Sequence, residues 1–228
     1  MQSEEHCLGA KLISEETKMQ LADLKIEPGR PLVISDVDDV IVHFLRAFEL
    51  YLHHHELWLD PASLALTGNI RRKTDSVAIN MEDVEQLINR FFTDMTLYME
   101  PIDQSVEMLA AISAHANVVL LTNAPHSVAE DRRSNLLKHG IKYPVITNSG
   151  PKGPAIKALS DLSGGTALFI DDNPGFLKSA FDWVPEIRLV HFMQDWRFRR
   201  YVNPMDFVHL HTSSWEEAGP FILDAVRT

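Results

Sequence analysis

Short apolar runs recur along the chain at the spacing of alternating strands and helices. Leu32–Val33–Ile34–Ser35 follows the turn cluster Pro28–Gly29–Arg30–Pro31, and similar runs fill residues 117–121, 143–147, 166–170 and 187–192. Residues 207–210 are a candidate edge strand. These runs are mostly apolar without a polar alternation, the pattern of parallel strands buried on both faces. Between them the period becomes helical. Val106, Leu109, Ala110 and Ser113 fall on one stripe, Ser127 with Glu130 reads as a capping box, and Gly140 as that helix's stop. Gly164–Gly165 closes a helix over 154–162, and Ser214 with Glu217 repeats the capping pattern before the last helix. The alternation predicts an α/β fold: a Rossmann-like, doubly wound parallel sheet with helices on both faces.

One stretch breaks the rhythm. Residues 45–100 hold an aromatic-rich helix (44–57), a polar middle with Arg71–Arg72–Lys73, and a second helix (82–98). That is far longer than an ordinary connection between a strand and its helix. It predicts a small, mainly helical cap inserted after the first strand. The expected organisation is an N-terminal appendage (1–27) with a helix over 14–24 packed loosely on the core, an α/β core (28–44 and 101–228), and the insertion (45–100).

Composition narrows the class. With 45% hydrophobic and 23% charged residues, the 228-residue chain has ordinary globular usage. The formal net charge of −11, from 21 basic and 32 acidic residues, argues against a general nucleic-acid binder. It leaves room for a small phosphorylated substrate neutralised by a metal ion and a few local cations. Cys7 is the only cysteine, which excludes an intramolecular disulfide and suits a reducing compartment. Met1–Gln2–Ser3–Glu4–Glu5–His6 lacks the basic and apolar regions of a secretory signal, and no apolar run reaches the ~18 residues of a membrane span. A soluble, cytoplasmic protein is expected, with its oligomeric state open.

The strand ends carry the candidate chemistry. The first run ends in Asp36–Val37–Asp38–Asp39 and the fourth in Asp171–Asp172. Parallel sheets bind ligands at the carboxyl ends of their strands, so these ends gather several carboxylates in one crevice. Such crowding raises each pKa and strains the fold unless a cation offsets it. The second run ends in Thr122–Asn123, and Lys152 opens the helix after the third. Phosphoryl transfer suits this set. Asp36 would attack phosphorus, and Asp38 would act as general acid and base. Mg²⁺ would lie between Asp36, the second carboxylate pair and the phosphate. Thr122 and Asn123 would donate to phosphate oxygens, and Lys152 would supply fixed positive charge.

In these motifs the chain resembles the haloacid dehalogenase-like (HAD) superfamily. They stand here as Ile34–Ser35–Asp36–Val37–Asp38–Asp39–Val40, Val118–Val119–Leu120–Leu121–Thr122–Asn123, Lys152, and Phe169–Ile170–Asp171–Asp172. The resemblance implies an aspartyl-phosphate mechanism with Mg²⁺ and a helical cap after the first motif. An aspartate at position 38 is similar to the phosphatase and phosphomutase members. The metal would be held by Asp36, the Asp38 carbonyl, Asp172 and Asp171, the last as ligand or behind one. Family members commonly carry glycine where this chain has Asp39, a fifth carboxylate without an expected role. Residues 36–44 with Met99–Glu100–Pro101–Ile102 are similar to the 5′(3′)-deoxyribonucleotidases of the superfamily. Nucleotide monophosphates and sugar phosphates are therefore the candidate substrates. A phosphomutase and a non-catalytic phosphometabolite-binding module are the alternatives.

Other conspicuous groups have plainer explanations. Three consecutive histidines, His53–His54–His55, point about 100° apart on a helix and cannot converge on one ion. Arg71–Arg72–Lys73 is either a solvated run or, on a cap facing the site, a grip for a second anionic group. Trp196–Arg197–Phe198–Arg199–Arg200 reads as a partly buried edge segment with snorkelling arginines.

Overall fold

The computed structural model describes residues 13–227; Cys7 and the opening hexapeptide lie outside the described residues. The chain begins with α1 (Glu15–Ala22) and β1 (Leu32–Ser35). Next come α2 (Phe44–His54), β2 (Leu57–Leu59), β3 (Ile70–Arg72) and α3 (Met81–Met95), which a 3₁₀ turn extends through Tyr98. Then α4 (Ser105–Ser113), β4 (Asn117–Thr122), α5 (Ala129–Lys138), β5 (Val145–Thr147), α6 (Gly153–Ser163) and β6 (Ala167–Asp171) alternate. The chain closes with α7 (Pro174–Trp183), β7 (Arg188–Phe192), α8 (Trp196–Arg199), β8 (Leu210–Thr212) and α9 (Trp215–Arg227).

Six strands form one parallel sheet in the order β5-β4-β1-β6-β7-β8. The side of β1 on which successive strands are added changes between β1 and β6, and in such sheets the ligand crevice lies at that switch point. Alternate residues feed two cores, as the period of two requires. Val33, Leu120 and Ile170 face one layer of helices, whereas Leu32, Ile34 and Phe169 face the other. The doubly wound expectation holds. Among the described residues no helix is long and apolar enough to cross a membrane.

The element boundaries shift for identifiable reasons. Pro144 has no N–H, so β5 begins one residue after it, although the Pro144 carbonyl still accepts from Leu120. The 44–57 helix stops at His54 because the chain turns into a two-stranded antiparallel ribbon, β2 against β3, pairing Leu57 with Arg72 and Leu59 with Ile70. The inserted segment is thus mainly helical, with this short ribbon added between its two helices. Strands of three residues are too short to show an alternation. The Ser127–Glu130 capping box does not form: a 3₁₀ turn (His126–Val128) precedes α5, and Glu130 pairs with Arg133 instead. Before α9, the Glu217 carboxylate accepts from the Thr212 hydroxyl, not from Ser214.

The N-terminal helix is not loosely packed. Thr17 is fully buried and donates to the Thr147 carbonyl (2.8 Å), while Gln20 Oε1 accepts the Thr147 N–H (2.8 Å). This helix therefore covers the exposed edge of β5, supplying partners that an edge strand otherwise lacks.

The inserted segment leaves and rejoins the core through paired backbone. The His43 N–H donates to the Glu100 carbonyl (2.9 Å) and the Ile102 N–H to the Ile41 carbonyl (2.7 Å). Helices α2 and α3 meet through aromatic rings, with Phe48 and Phe91 edge to face at 5.0 Å and Phe44 and Phe91 at 5.2 Å.

Candidate active site

The loop after β1 is wound tightly. The N–H groups of Ile41 and Val42 both donate to the Val37 carbonyl (2.8 and 3.0 Å), and the Asp36 N–H extends the sheet by donating to Ile170 (2.9 Å). From the far side of the core, the fully buried Trp215 donates its indole N–H to the Val40 carbonyl (2.8 Å). Three elements thus fix the backbone that presents Asp36 and Asp38.

Asp36, Asp171 and Asp172 converge, with one carboxylate oxygen from each lying within 4.8 Å of the others. Lys152 is fully buried and bridges two of them, 2.7 Å from Asp36 Oδ1 and 2.7 Å from Asp171 Oδ2. Its ammonium lies 4.8 Å from the Phe176 ring centre. Burial works against the Lys152 charge, but the Asp171 and Asp36 carboxylates outweigh it and hold the ammonium above its ordinary range. Burial pushes Asp36 up to about 7, with Asp171 and Asp38 adding to the rise against the pull of Lys152. It likewise raises Asp171, and together with the Asp171 and Asp36 charges it raises Asp172 well above the carboxylate range. One ammonium does not neutralise three carboxylates. Hard oxygen donors at this spacing, with negative charge left over, fit a divalent cation.

Asp38 stands apart from that cluster. Its Oδ1 is paired with Arg132, which is fully buried, and its Oδ2 accepts from the Thr122 hydroxyl (3.0 Å). Its carboxylate lies outside the three-carboxylate cluster, and the expectation for Asp38 at the metal concerns its main-chain carbonyl instead. The two residues expected to donate to phosphate are engaged within the protein. Thr122 orients Asp38 and accepts the Ala124 N–H (3.0 Å). Asn123 donates to the Gly150 carbonyl (2.8 Å) and accepts from Asn148 (3.0 Å), tying the ends of β4 and β5 together.

The structure gives Asp39 a role. It adopts the left-handed conformation (φ 57°), which aspartate tolerates better than most residues, and its carboxylate accepts the Leu45 N–H (3.0 Å). His43 provides no side-chain cap, so Asp39 caps α2 from outside the helix. Burial raises Asp39 to about 8 despite that hydrogen bond, with Asp38 and Asp36 adding to the rise.

Two supporting groups escaped the sequence reading. Arg132 lies on the buried face of α5 with Ala129, Asn135 and Leu136, so an arginine on an otherwise inward stripe was the available signal. His191 pairs in register with His211, and its ring nitrogens lie 3.0 Å from the Asp172 carbonyl and 3.1 Å from His211 Nδ1. Burial lowers His191 to about 4, so it is neutral and donates to Asp172 while accepting from His211.

A cavity of about 480 Å³ opens over Asp36, Asp38, Lys152 and Asp172, with apolar walls from the inserted segment. A second hollow of about 680 Å³ adjoins Asp39 and Asp172 but does not reach Asp36 or Asp38. Neither the histidine run nor the basic run joins the site. His53, His54 and His55 are exposed and belong to no metal-type cluster among the described residues. Arg71 is paired with Asp60, Arg72 with Asp75, and Lys73 donates to the His53 carbonyl. In α8, Phe198 is buried and Arg197 pairs with Glu49 and Asp195, while Trp196 is 75% exposed.

This arrangement of a central β1 flanked by β4 and β6 has counterparts among solved structures at the level of the fold. The chain superposes on a HAD family hydrolase from Deinococcus radiodurans R1, with bound phosphate and sodium, at a TM-score of 0.61 and 15% identity, covering 87% of this chain and 97% of that one. The chain has the haloacid dehalogenase-like fold. A putative HAD-hydrolase from Bacillus subtilis bound to magnesium aligns at TM-score 0.54 and 14% identity, over 86% of this chain and 99% of that one. The L-2-haloacid dehalogenase PA0810 shares the HAD-like fold equally well, at TM-score 0.55 and 10% identity, over 85% and 100%. No protein-family model and no curated protein matches the chain.

Proposed function

We propose that the protein is a phosphohydrolase that removes phosphate from a small phosphorylated metabolite, with Asp36 as nucleophile and Asp38 as general acid–base. The carrying observation is the division of labour between the two aspartates. Asp36 faces the cavity beside Lys152, Asp171 and Asp172, whereas Asp38 is held outside that cluster by Arg132 and Thr122. A halide leaves without a proton, so dehalogenation needs no second aspartate. An alkoxide leaving from phosphorus does need one. The neighbours of this fold include L-2-haloacid dehalogenases and a hydrolase with bound phosphate, and the placement of Asp38 favours phosphate.

In the first step an Asp36 oxygen attacks phosphorus. The bond from phosphorus to the ester oxygen breaks, and Asp38 gives its proton to the departing oxygen. In the second step Asp38 takes a proton from water as that water's oxygen attacks phosphorus. The bond to Asp36 breaks, releasing phosphate and restoring the carboxylate. Lys152 holds Asp36 in place and keeps positive charge where the phosphoryl oxygens gather. A cation such as Mg²⁺, held by Asp36, Asp171 and Asp172, would offset repulsion between the anionic nucleophile and substrate. His191 orients the backbone of Asp172, and segment 45–100 acts as a cap over the site.

Phosphate release from an aryl phosphate tests this reading. The wild type should turn over with Mg²⁺ and stop when a chelator is added. Asp36→Asn should lose roughly 10³-fold or more in kcat while melting at or above the wild-type temperature. Full activity in that variant overturns the assignment.

A further inference from the structure

The walls of the catalytic cavity are apolar where they belong to the inserted segment. That segment contributes Leu45, Leu64, Leu66, Ile88 and Phe92, next to Phe44 just before it, with no polar or charged side chain among them. Phe176 and Phe198 close the cavity from the core. Its polar side chains all lie at the floor, on the loops after β1, β4 and β6 and at the start of α6. Most of those are committed within the protein: Lys152 to Asp36 and Asp171, Asn123 to Gly150 and Asn148, and Asn173 to the Gly175 N–H.

The polarity gradient runs from a floor that handles phosphoryl oxygens to a wall with nothing to satisfy a hydroxyl. A substrate bearing several hydroxyls would leave them facing phenylalanine and leucine, an unfavourable exchange for water. A second phosphate would meet no further cation in this cavity, because Lys152 is the one cation among the described residues that line it. Arg71, Arg72 and Lys73 are engaged elsewhere, and Arg46 lines the adjoining hollow instead. Leu64 remains 40% exposed on this wall, apolar surface that a ligand can cover. At about 480 Å³ the cavity has room for a phosphoryl group and a one- or two-ring substituent.

We infer that the substrate is a phosphate monoester of an apolar alcohol, carrying a single phosphate and a hydrophobic leaving group the size of one or two rings. This rests on the phosphohydrolase reading and selects, within it, against sugar phosphates and bisphosphates. Affinity comes from the leaving group, while the floor supplies the chemistry. Leu64 and Leu66, on the loop between β2 and β3, are specificity-determining residues.

Esters of primary alcohols of similar acidity isolate the effect of the leaving group's surface. Phosphate release should be measured with Mg²⁺ for ethyl, hexyl and cyclohexylmethyl phosphate, for glucose 6-phosphate and for a nucleoside 5′-monophosphate. The expected kcat/KM rises at least about tenfold from ethyl to hexyl and cyclohexylmethyl phosphate, which both exceed glucose 6-phosphate by a similar factor. In Leu64→Asn the ratio of cyclohexylmethyl to ethyl phosphate should fall several-fold, with melting temperature read alongside. Turnover that favours glucose 6-phosphate or the nucleotide overturns the leaving-group inference and leaves the phosphohydrolase reading standing. Failure to hydrolyse any of the esters overturns both.

Discussion

At the scale of single residues, the site depends on how two neighbouring aspartates are kept different. Asp36 shares Lys152 with Asp171, whereas Asp38 is tied to Arg132 and Thr122. The guanidinium is rigid and buried, so it sets where the Asp38 carboxyl points as well as what charge it meets. Arg132→Met should lower kcat about 10²-fold with KM little changed, since binding at the floor does not use Arg132. Arg132→Lys should recover part of that loss. The melting temperature of the Met variant should also fall, toward the lower end of the ~3–5 kcal/mol for breaking a buried pair, because Asp38 is partly exposed. Wild-type kcat in Arg132→Met contradicts this positioning role. The aspartates were legible in the sequence because acidic residues ending apolar runs are conspicuous. Arg132 was not, because its partner lies 94 positions away. Asp39 looked like a misplaced glycine, and only the observed backbone reveals a helix cap in left-handed geometry.

At the scale of elements, the strands were readable and the contacts between elements were not. Buried parallel strands announce themselves as apolar runs, and their ends locate the site. The ribbon of β2 and β3 is too short to do so, and α1 holds the edge of β5 through Thr17 and Gln20, with no apolar stripe to betray it. The start of α6 is equally silent. Lys152 precedes Gly153, whose N–H donates to Ser179 Oγ (3.0 Å) where α6 crosses α7. A Cβ there would lie 2.3 Å from the Ser179 carbonyl oxygen and 2.5 Å from Trp183 Cδ1. Gly153→Ala should therefore force the helices apart and displace Lys152. The expected destabilisation is about 1–3 kcal/mol in a thermal melt, with lower phosphate release. A variant that melts and turns over like the wild type shows that Lys152 does not depend on this contact.

At the scale of the whole molecule, the strand order carries the functional logic. Residues 36 and 171 are far apart in the chain, and the β1–β6 pairing alone brings their carboxylates to one ammonium. A protein of net charge −11 that gathers further carboxylates around an anionic substrate has an electrostatic problem on two scales. In the proposed mechanism Lys152 and a bound cation would answer it locally, and the inserted segment would answer it by offering apolar surface instead of more charge. The central claim is that phosphate passes through Asp36. Its most direct test is acid quenching of the enzyme during turnover of an aryl phosphate with Mg²⁺, followed by peptide mass spectrometry. The expected result is a phosphoryl group on the peptide containing Asp36 in the wild type and none in Asp36→Asn. Continued turnover with phosphate on another residue, or undiminished turnover by Asp36→Asn, contradicts it.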